Sequence, residues 1–543
     1  MATKLTVHLF VLLLSKLMLC QSLSPAPSVG NYLCRRGHTI TVIGDWLYLD
    51  GGEISQLVNG TLVGASQNFW FYKINHTLSI PLHESWSTET VTWKLTKKEA
   101  PVFLFATLWT YQDTWINWGG QESLGDTIYA YDPWQFTSDG NGGGEWSPSN
   151  PYNRADFVGI TRTWGGAGAS CNGKGLYVGG IVGELPLPGL ITCDIETRTW
   201  SNESALGLNR FGTSVSGAGA CLEEHGSEGV LFVIGGDLVD QSPYSQKAGL
   251  IDMRNIGFWN VGTKTWHSQI TNGETPSIRL KHCLSVAKSP DNTYEIYLYG
   301  GSNSNQYYAL DDVWILSIPA FTWFKVDTHG STSRQDHSCH TAGNQIISIG
   351  GYPSVINSTD PDEWNQGIGV LDLSSWRWTG QYRANTTYAT PQFIKDWYRE
   401  RDLDTDVNWT SDAVRQLFLS DDTPPSEDPS SPMKHQTDSS KGAIIGGSIG
   451  GVVVFLGVAV TVVLLLRRRN QEGQKNQREG KEISEMPIFS FPGTHNRPEL
   501  DRDERPGEMS SERHGSPFEL DDTQLIHQLF DRRHDDRKFS QQL

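Results

Sequence analysis

Six short apolar runs in this chain end in a glycine pair: Gly51-Gly52, Gly119-Gly120, Gly179-Gly180, Gly235-Gly236, Gly300-Gly301 and Gly350-Gly351. The runs, Leu-Phe-Val-Ile before Gly235 and Ile-Tyr-Leu-Tyr before Gly300 among them, are β-branched and aromatic and of strand length. Each pair therefore marks a sharp turn where strand pairing ends. A strand-exit turn explains one such pair. Six of them, at intervals of about 50 to 70 residues, mean an array of supersecondary units, none able to bury its apolar face alone.

Four units carry a second signature, a polar residue six positions before a tryptophan: Asp194 and Trp200, Asn260 and Trp266, Ser317 and Trp323, Asp372 and Trp378. That interval fits a strand, a tight turn capped by the polar side chain, and the start of the next antiparallel strand. Before the glycines lies a further strand, visible as Arg36-Gly37-His38 and as Arg334 to His337, with 13 residues from each His to its first glycine. With the tryptophan segment this makes four strands per unit.

The constellation resembles the kelch repeat, whose four-stranded unit is one blade of a β-propeller, over roughly residues 34–382. The first two copies depart from it. Trp86 or Trp93 serves in the first, and Gly140 to Gly144 stretch the interval from Asp132 to Trp146 in the second. The resemblance implies an all-β, six-bladed kelch-type propeller over residues 34–390. A seventh blade, assembled from Gly30 to Cys34 with residues after Tyr382, is the alternative.

Outside the repeats, residues 442–466 form a 25-residue stretch without a charge, longer than the roughly 20 needed to cross a bilayer core as helix. Its 15 Val, Leu, Ile and Phe residues contribute about −5 to −9 kcal/mol of apparent insertion energy. Lys441 precedes it and Arg467, Arg468 and Arg469 follow, which places the tail, 467–543, in the cytoplasm and the propeller outside. At the other end Lys4, an apolar stretch and the small residues Cys20 and Ser22 read as a signal peptide over residues 1–22. The chain is thus expected to be a single-pass type I membrane protein of the plasma membrane or secretory pathway.

Six Asn-x-Ser/Thr acceptors, Asn59, Asn75, Asn202, Asn357, Asn385 and Asn408, all precede the span, consistent with an extracytoplasmic glycoprotein. Residues 391–441 divide into an apolar part, with one or two short helices against the propeller and Ser411 as a cap, and a Pro/Ser/Asp-rich stalk from Asp421 to Ser440. Glycines at 442, 446 and 450, and at 447 and 451, permit close helix approach and a weak dimer in the membrane. Signal peptide, kelch ectodomain, glycine-rich span and short tail resemble the single-pass kelch proteins of filamentous fungi. The Cys34-Arg35-Arg36-Gly37-His38 start and the glycine-rich span carry that likeness.

Between the signal peptide and Arg467 lie 27 basic and 45 acidic residues, a net charge of −18. This speaks against nucleic acid or anionic lipid as partners of the propeller. Six cysteines remain after the signal peptide: Cys34, Cys171, Cys193, Cys221, Cys283 and Cys339. Cys171 and Cys193, on the first and third strands of one blade, stand about 9 to 10 Å apart and cannot bond. Cys171, Cys221, Cys283 and Cys339 fall near equivalent inner-strand positions, which suits buried free thiols. A bond between Cys34 and Cys339 at the ring closure is the disulfide expected here.

Extracellular kelch propellers include copper oxidases similar to galactose oxidase, which need a Tyr-His ligand pair; this chain has no Tyr-His dipeptide. His38, His282 and His337 recur at one repeat position, which marks them as scaffold, and leaves His267 and His340 as isolated candidate ligands. A Glu-x3-Asp-x3-His iron motif is matched by Glu122 and Asp126 but fails at Ala130. Carboxylates such as Asp311-Asp312, Asp360, Asp362 and Glu363 suit acidic loops, and no nucleophile elbow, His-Glu-x-x-His or phosphate loop occurs. No cofactor, metal site or catalytic residue is therefore assigned.

The expected function is non-catalytic recognition of an extracellular glycan or protein through loops such as Asp237 to Ile251 and Ser302 to Leu310. The alternative is a membrane-tethered, oxidase-like or accessory enzyme. Trp109, Trp115, Trp118 and Trp134 read as blade core or as a platform for sugars. In the tail, Asp521, Leu525 and Ile526 form either the apolar face of a docking helix for a cytoplasmic adaptor or an acidic dileucine sorting signal.

Overall fold

The computed structural model describes residues 26–58, 60–63, 71–122, 132–183, 185–238, 249–303, 308–353 and 361–419. The signal segment, the span 442–466 with its glycines, the tail with Asp521, Leu525 and Ile526, and the acceptors Asn59 and Asn357 lie outside them. Among the described residues no helix is long and apolar enough to cross a membrane.

Each apolar run forms the second strand of an antiparallel four-strand meander. The first meander is Tyr32–Ile43, Trp46–Val58, His76–Pro81 and Lys94–Lys97. Next come Phe103–Tyr111, Thr114–Glu122, Trp134–Ser138 and Gly144–Pro148, then Ala167–Cys171, Lys174–Val178, Leu190–Asp194 and Thr199–Glu203. Ala218–Leu222, Val230–Ile234, Asn255–Asn260 and Thr265–Ile270 make the fourth, and Cys283–Lys288, Tyr294–Tyr299, Val313–Ile318 and Thr322–Val326 the fifth. The last is Gln335–Ala342, Gln345–Tyr352, Ile368–Asp372 and Arg377–Thr379, joined to the first by the pair Arg35↔Gly351. Gly30 to Cys34 lead into the first meander and the chain after Tyr382 enters helices, so no further four-strand unit forms among the described residues.

One residue at the head of each first strand takes the left-handed conformation: Gly37, Phe105, Gly165, Ser216, Lys281 and Asp336, with φ from 55° to 69°. Where the residue is not glycine this costs on the order of 1 kcal/mol or more. Hydrogen bonds between units hold the arrangement. Asp336 N–H donates to the Lys281 carbonyl at 3.0 Å, Lys281 to Ser216 at 2.7 Å, Ser216 to Gly165 at 2.5 Å and Gly165 to Phe105 at 3.3 Å. The equivalent backbone positions of five successive meanders are thus linked in series.

The glycine pairs are explained at the same level. Gly51 and Gly52 have φ of 71° and 74°, and a Cβ would lie 2.3 Å from the Phe103 carbonyl oxygen at the first and 2.5 Å from that of Arg36 at the second. The carbonyl of each first glycine also accepts a side-chain hydrogen bond from a residue at the head of a first strand. Arg35 bonds Gly51 at 2.8 Å, Thr163 bonds Gly179 at 2.7 Å and Ser214 bonds Gly235 at 3.2 Å. Arg279 reaches Gly300 at 3.0 Å and Arg334 reaches Gly350 at 2.5 Å. In the second meander Phe103 holds this position, and Arg162 of the next unit serves Gly119 at 2.8 Å instead.

The expected turn caps form in three of the four units. Asp194 Oδ1 accepts from Thr197 N–H at 2.7 Å, Asn260 Oδ1 from Thr263 N–H at 3.2 Å and Asp372 Oδ1 from Ser374 N–H at 2.8 Å. Ser317 departs, because its hydroxyl is engaged by Tyr398 at 3.0 Å. Trp146 lies on the outer strand of the second unit and is buried. Trp93, also buried, stands just before the outer strand of the first, whereas Trp86 pairs with Tyr382.

The cysteines correct the sequence reading. Cys171 bonds Cys221 and Cys283 bonds Cys339, with Cα atoms 5.5 Å and 5.7 Å apart, while Cys34 is a buried free thiol and does not meet Cys339. Each bond joins the first strands of consecutive meanders. The repeat brings neighbouring first strands side by side, so cysteines one unit apart come within bonding range. Cys171 and Cys193 stay apart on the first and third strands, as their spacing requires.

Helices Gln392–Glu400, Leu403–Asp406 and Asp412–Leu419 follow the last meander, the third capped by Ser411 through Val414 N–H at 3.2 Å. Buried Ile394, Val414 and Phe418 attach them to the core. Tyr388 donates to Glu295 at 3.0 Å, and Thr410 N–H and the Asn408 carbonyl bind the Gln269 amide at 2.9 Å and 2.8 Å. The Tyr388–Glu295 contact falls at the strand end remote from the glycine pair, whereas Gln269, paired with Ile256, stands on the outer strand level with Ile234.

Two outcomes test this account. Alkylation of unreduced, denatured protein followed by peptide mapping should modify Cys34 and Cys193 and leave the other four protected; each closed loop, of 50 and 56 residues, should add about 4 kcal/mol by chain entropy. Gly51→Ala should lose at least about 2 kcal/mol in chemical denaturation, since both φ and the Phe103 carbonyl oppose a Cβ.

Candidate recognition surfaces

The loops after the glycine pairs share one end of the meanders, and their roots are fixed. Asp237 bridges Val215 and Leu250, and Ser302 bridges Leu280 and Ala309. Tyr308, between the roots Ser302 and Ala309, is 67% exposed. The opposite end is covered by the segment after Tyr382.

At the centre of the loop end is a small pocket of about 130 Å³ to which all of the meanders contribute, among them Thr39, Ala106, Gly166, Gly217, Lys281 and Asp336. Lys281 and Asp336 pair at 3.2 Å, and the Tyr352 hydroxyl donates to Asp336 at 2.6 Å. The polar groups at this mouth thus hold one another.

The recurrent histidines behave as scaffold. His38 packs against Gly350, His282 against Gly235 and His337 against Gly300, each the first glycine of the preceding unit. His38 Nε2 lies 3.0 Å from the Ile349 carbonyl oxygen. Burial, aided by the nearby Arg35 and Arg279, pushes His38 and His282 down to about 3, and burial and Arg334 hold His337 well below the ordinary value. All three are neutral at physiological pH. His267 Nε2 is engaged with Thr265 at 2.9 Å, and His340 Nδ1 with the Thr341 carbonyl at 2.7 Å. Among the described residues no three His, Cys, Asp or Glu side chains converge as metal ligands; Asp126 and Ala130 lie outside them.

Trp109, Trp115 and Trp118 are buried to 1% exposure or less and stack within the junctions around the second unit, with Trp118 4.6 Å from Trp200 and Trp115 4.0 Å from Phe136. They are core, and only Trp134 is partly exposed. Asp312 and Asp362 are not free loop acids either. Arg279 clamps Asp312 at 2.6 and 2.9 Å, and Arg334 pairs with Asp362 at 3.2 Å. The free thiols are unreactive by environment, with burial pushing Cys34 up to about 12 and Cys193 upward as well. The acceptors Asn75, Asn202, Asn385 and Asn408 are all exposed.

Two features escaped the sequence. Glu295 is fully buried, its carboxyl raised by burial and held by Thr293 at 2.7 Å and Tyr388. Nothing in its neighbours marks it. The arginines that cap the glycines did leave a signal, since Arg35, Arg279 and Arg334 each stand three residues before a recurrent histidine.

Residues 219–392 match the KLHDC2/KLHL20/DRC7 Kelch-repeats domain. A Kelch repeat-containing protein of Arthroderma benhamiae is 31% identical over 195 residues, 34% of this chain and 27% of the relative. Host cell factor of Drosophila melanogaster is 33% identical over 138 residues, 24% of this chain and 9% of that protein. Acyl-CoA-binding domain-containing protein 4 of Arabidopsis thaliana is 28% identical over 126 residues, 21% and 17% of the two chains. The chain therefore matches about a quarter or less of the length of these relatives, and the likeness lies in the repeats. With its glycine-pair turns, four-strand meanders and capped tryptophan hairpins, the described part of the chain is an all-β propeller of kelch type, and residues 219–392 carry the match to the kelch-repeat domain.

Proposed function

We propose that this chain is a six-bladed, extracytoplasmic recognition protein without catalytic activity, which binds a protein or glycan partner through the loop end of the propeller. The observation that carries the reading is the difference between the two ends: the chain's own helices pack at one, and at the other the roots of two loops are fixed by backbone bridges. Rigid scaffolds with loop-borne contacts suit partner recognition. Six blades agree with a pocket lined from every meander and with two complete terminal meanders joined at Arg35 and Gly351.

The location rests on independent features. Two disulfides between neighbouring units favour an oxidising compartment, and the four described acceptor asparagines are accessible to glycosylation. Both agree with the apolar span 442–466 and the basic residues after it. On this reading the tail engages an adaptor through Asp521, Leu525 and Ile526, and the glycines of the span support a weak dimer.

Surface proximity labelling tests the reading. Replacing residues 304–308 by an equal length of glycine and serine, inside the Ser302↔Ala309 bridge, should leave thermal unfolding unchanged and remove the partner's label. Identical labelling in wild type and in variants of every loop, or stoichiometric copper or iron on the purified ectodomain, would contradict it.

A further inference from the structure

The junction between the first and second meanders encloses an amine, a carboxylate and a carboxamide. Lys98 follows the outer strand of the first meander, Asp50 stands on its second strand just before Gly51, and Asn117 lies on the second strand of the next. The Lys98 ammonium and the Asp50 carboxylate pair at 2.5 Å with both side chains wholly withdrawn from solvent, and Asn117 is 3% exposed. Asn117 Nδ2 donates at 3.3 Å to Asp50 Oδ2, the same oxygen that holds Lys98 Nζ. One carboxylate oxygen thus touches both an amine and an amide. Thr77 donates to the other oxygen at 2.9 Å and in turn accepts from Trp146 Nε1 at 3.0 Å, which holds Asp50 in place.

The surroundings are apolar. Lys98 Nζ lies 4.5 Å from the centre of the Trp146 ring, and Trp146 packs with Tyr48, Trp115 and Phe136 in the core cluster at this junction. Burial pushes the Lys98 amine below its ordinary value, against the pull of Asp50. A desolvated lysine that gives up its proton is a nucleophile, whereas an ion pair kept wholly out of water is costly to maintain. The two disulfides fasten the third meander to the fourth and the fifth to the sixth. Among the described residues no disulfide joins the first meander to the second.

We infer that Lys98 and Asn117 are joined by an intramolecular isopeptide bond, formed with Asp50 as the proton carrier. Lys98 Nζ passes a proton to Asp50, and its lone pair then forms a bond to Asn117 Cγ. Asp50 gives that proton to Asn117 Nδ2 and takes one from the attacking nitrogen, the Cγ–Nδ2 bond breaks, and ammonia leaves. The products are one secondary amide, one ammonia and Asp50 as the neutral acid, so the step balances without an outside reagent. A single oxygen in contact with both nitrogens serves each proton transfer, the geometry that general acid–base catalysis requires. Asn117 is the acceptor because its amide carbonyl is uncharged, whereas the Asp50 carboxylate is needed as the base. The bond replaces a buried ion pair and ties the linker between the first two meanders to the second. It is independent of partner recognition and stands or falls apart from the loop-end reading.

Peptide mapping of the denatured full-length protein by mass spectrometry tests this. In wild type Lys98, no longer a cation, should resist trypsin. Chymotrypsin, which cuts at the aromatic residues between the two positions, should release the peptides carrying Lys98 and Asn117 still joined, lighter than their sum by one ammonia. Asp50→Asn removes the proton carrier and should leave them separate, in a protein whose cooperative thermal unfolding and intact Cys171–Cys221 and Cys283–Cys339 bonds show that it has folded. Cleavage after Lys98 with separate peptides in wild type would overturn the inference whether or not the variant folds. An amide between Lys98 and Asp50, lighter by one water, or a Lys98–Asn117 bond that persists in Asp50→Asn, would overturn it as well.

Discussion

The structure depends on how the chain turns at the head of each first strand. There, in four of the six units, a left-handed residue sends its N–H to the equivalent carbonyl of the preceding unit, and in five a side chain two positions earlier caps the first glycine of its own unit. Strain at Phe105, Ser216, Lys281 and Asp336 is thus balanced by contacts that exist only when neighbouring units are in place. Such units cannot be stable singly, which is the physical content of a repeat fold. The two disulfides act on the same junctions, between first strands of consecutive meanders.

Much of this was legible because its causes are local. Apolar runs ending in glycine pairs located the second strands, and the six-residue interval to tryptophan located the capped hairpins, Asp194 and Asp372 most clearly. Recurrence also sorted the histidines correctly, since a residue repeated beside a repeated glycine is scaffold. The one cap that failed, Ser317, did so because a helix from outside the repeat, through Tyr398, took its hydroxyl.

The rest depended on contacts between units, which a single sequence encodes weakly. Cys34 and Cys339 were paired on the idea of a ring closure, whereas the bonds follow the repeat period: Cys171 and Cys221 are separated by 50 residues and Cys283 and Cys339 by 56.

On the proposed reading, function lies where the repeat does not, in loops held on fixed roots. That view requires a scaffold that stays closed while its loops change. Hydrogen exchange on the intact protein measures this directly. The amides of Gly165, Ser216, Lys281 and Asp336, although they stand at a solvent-facing mouth, should exchange as slowly as the central strands, while the loops exchange rapidly. If those four amides exchanged as fast as the loops, the chain of bonds around the axis would not be holding the propeller together, and the rigid platform would be the wrong description.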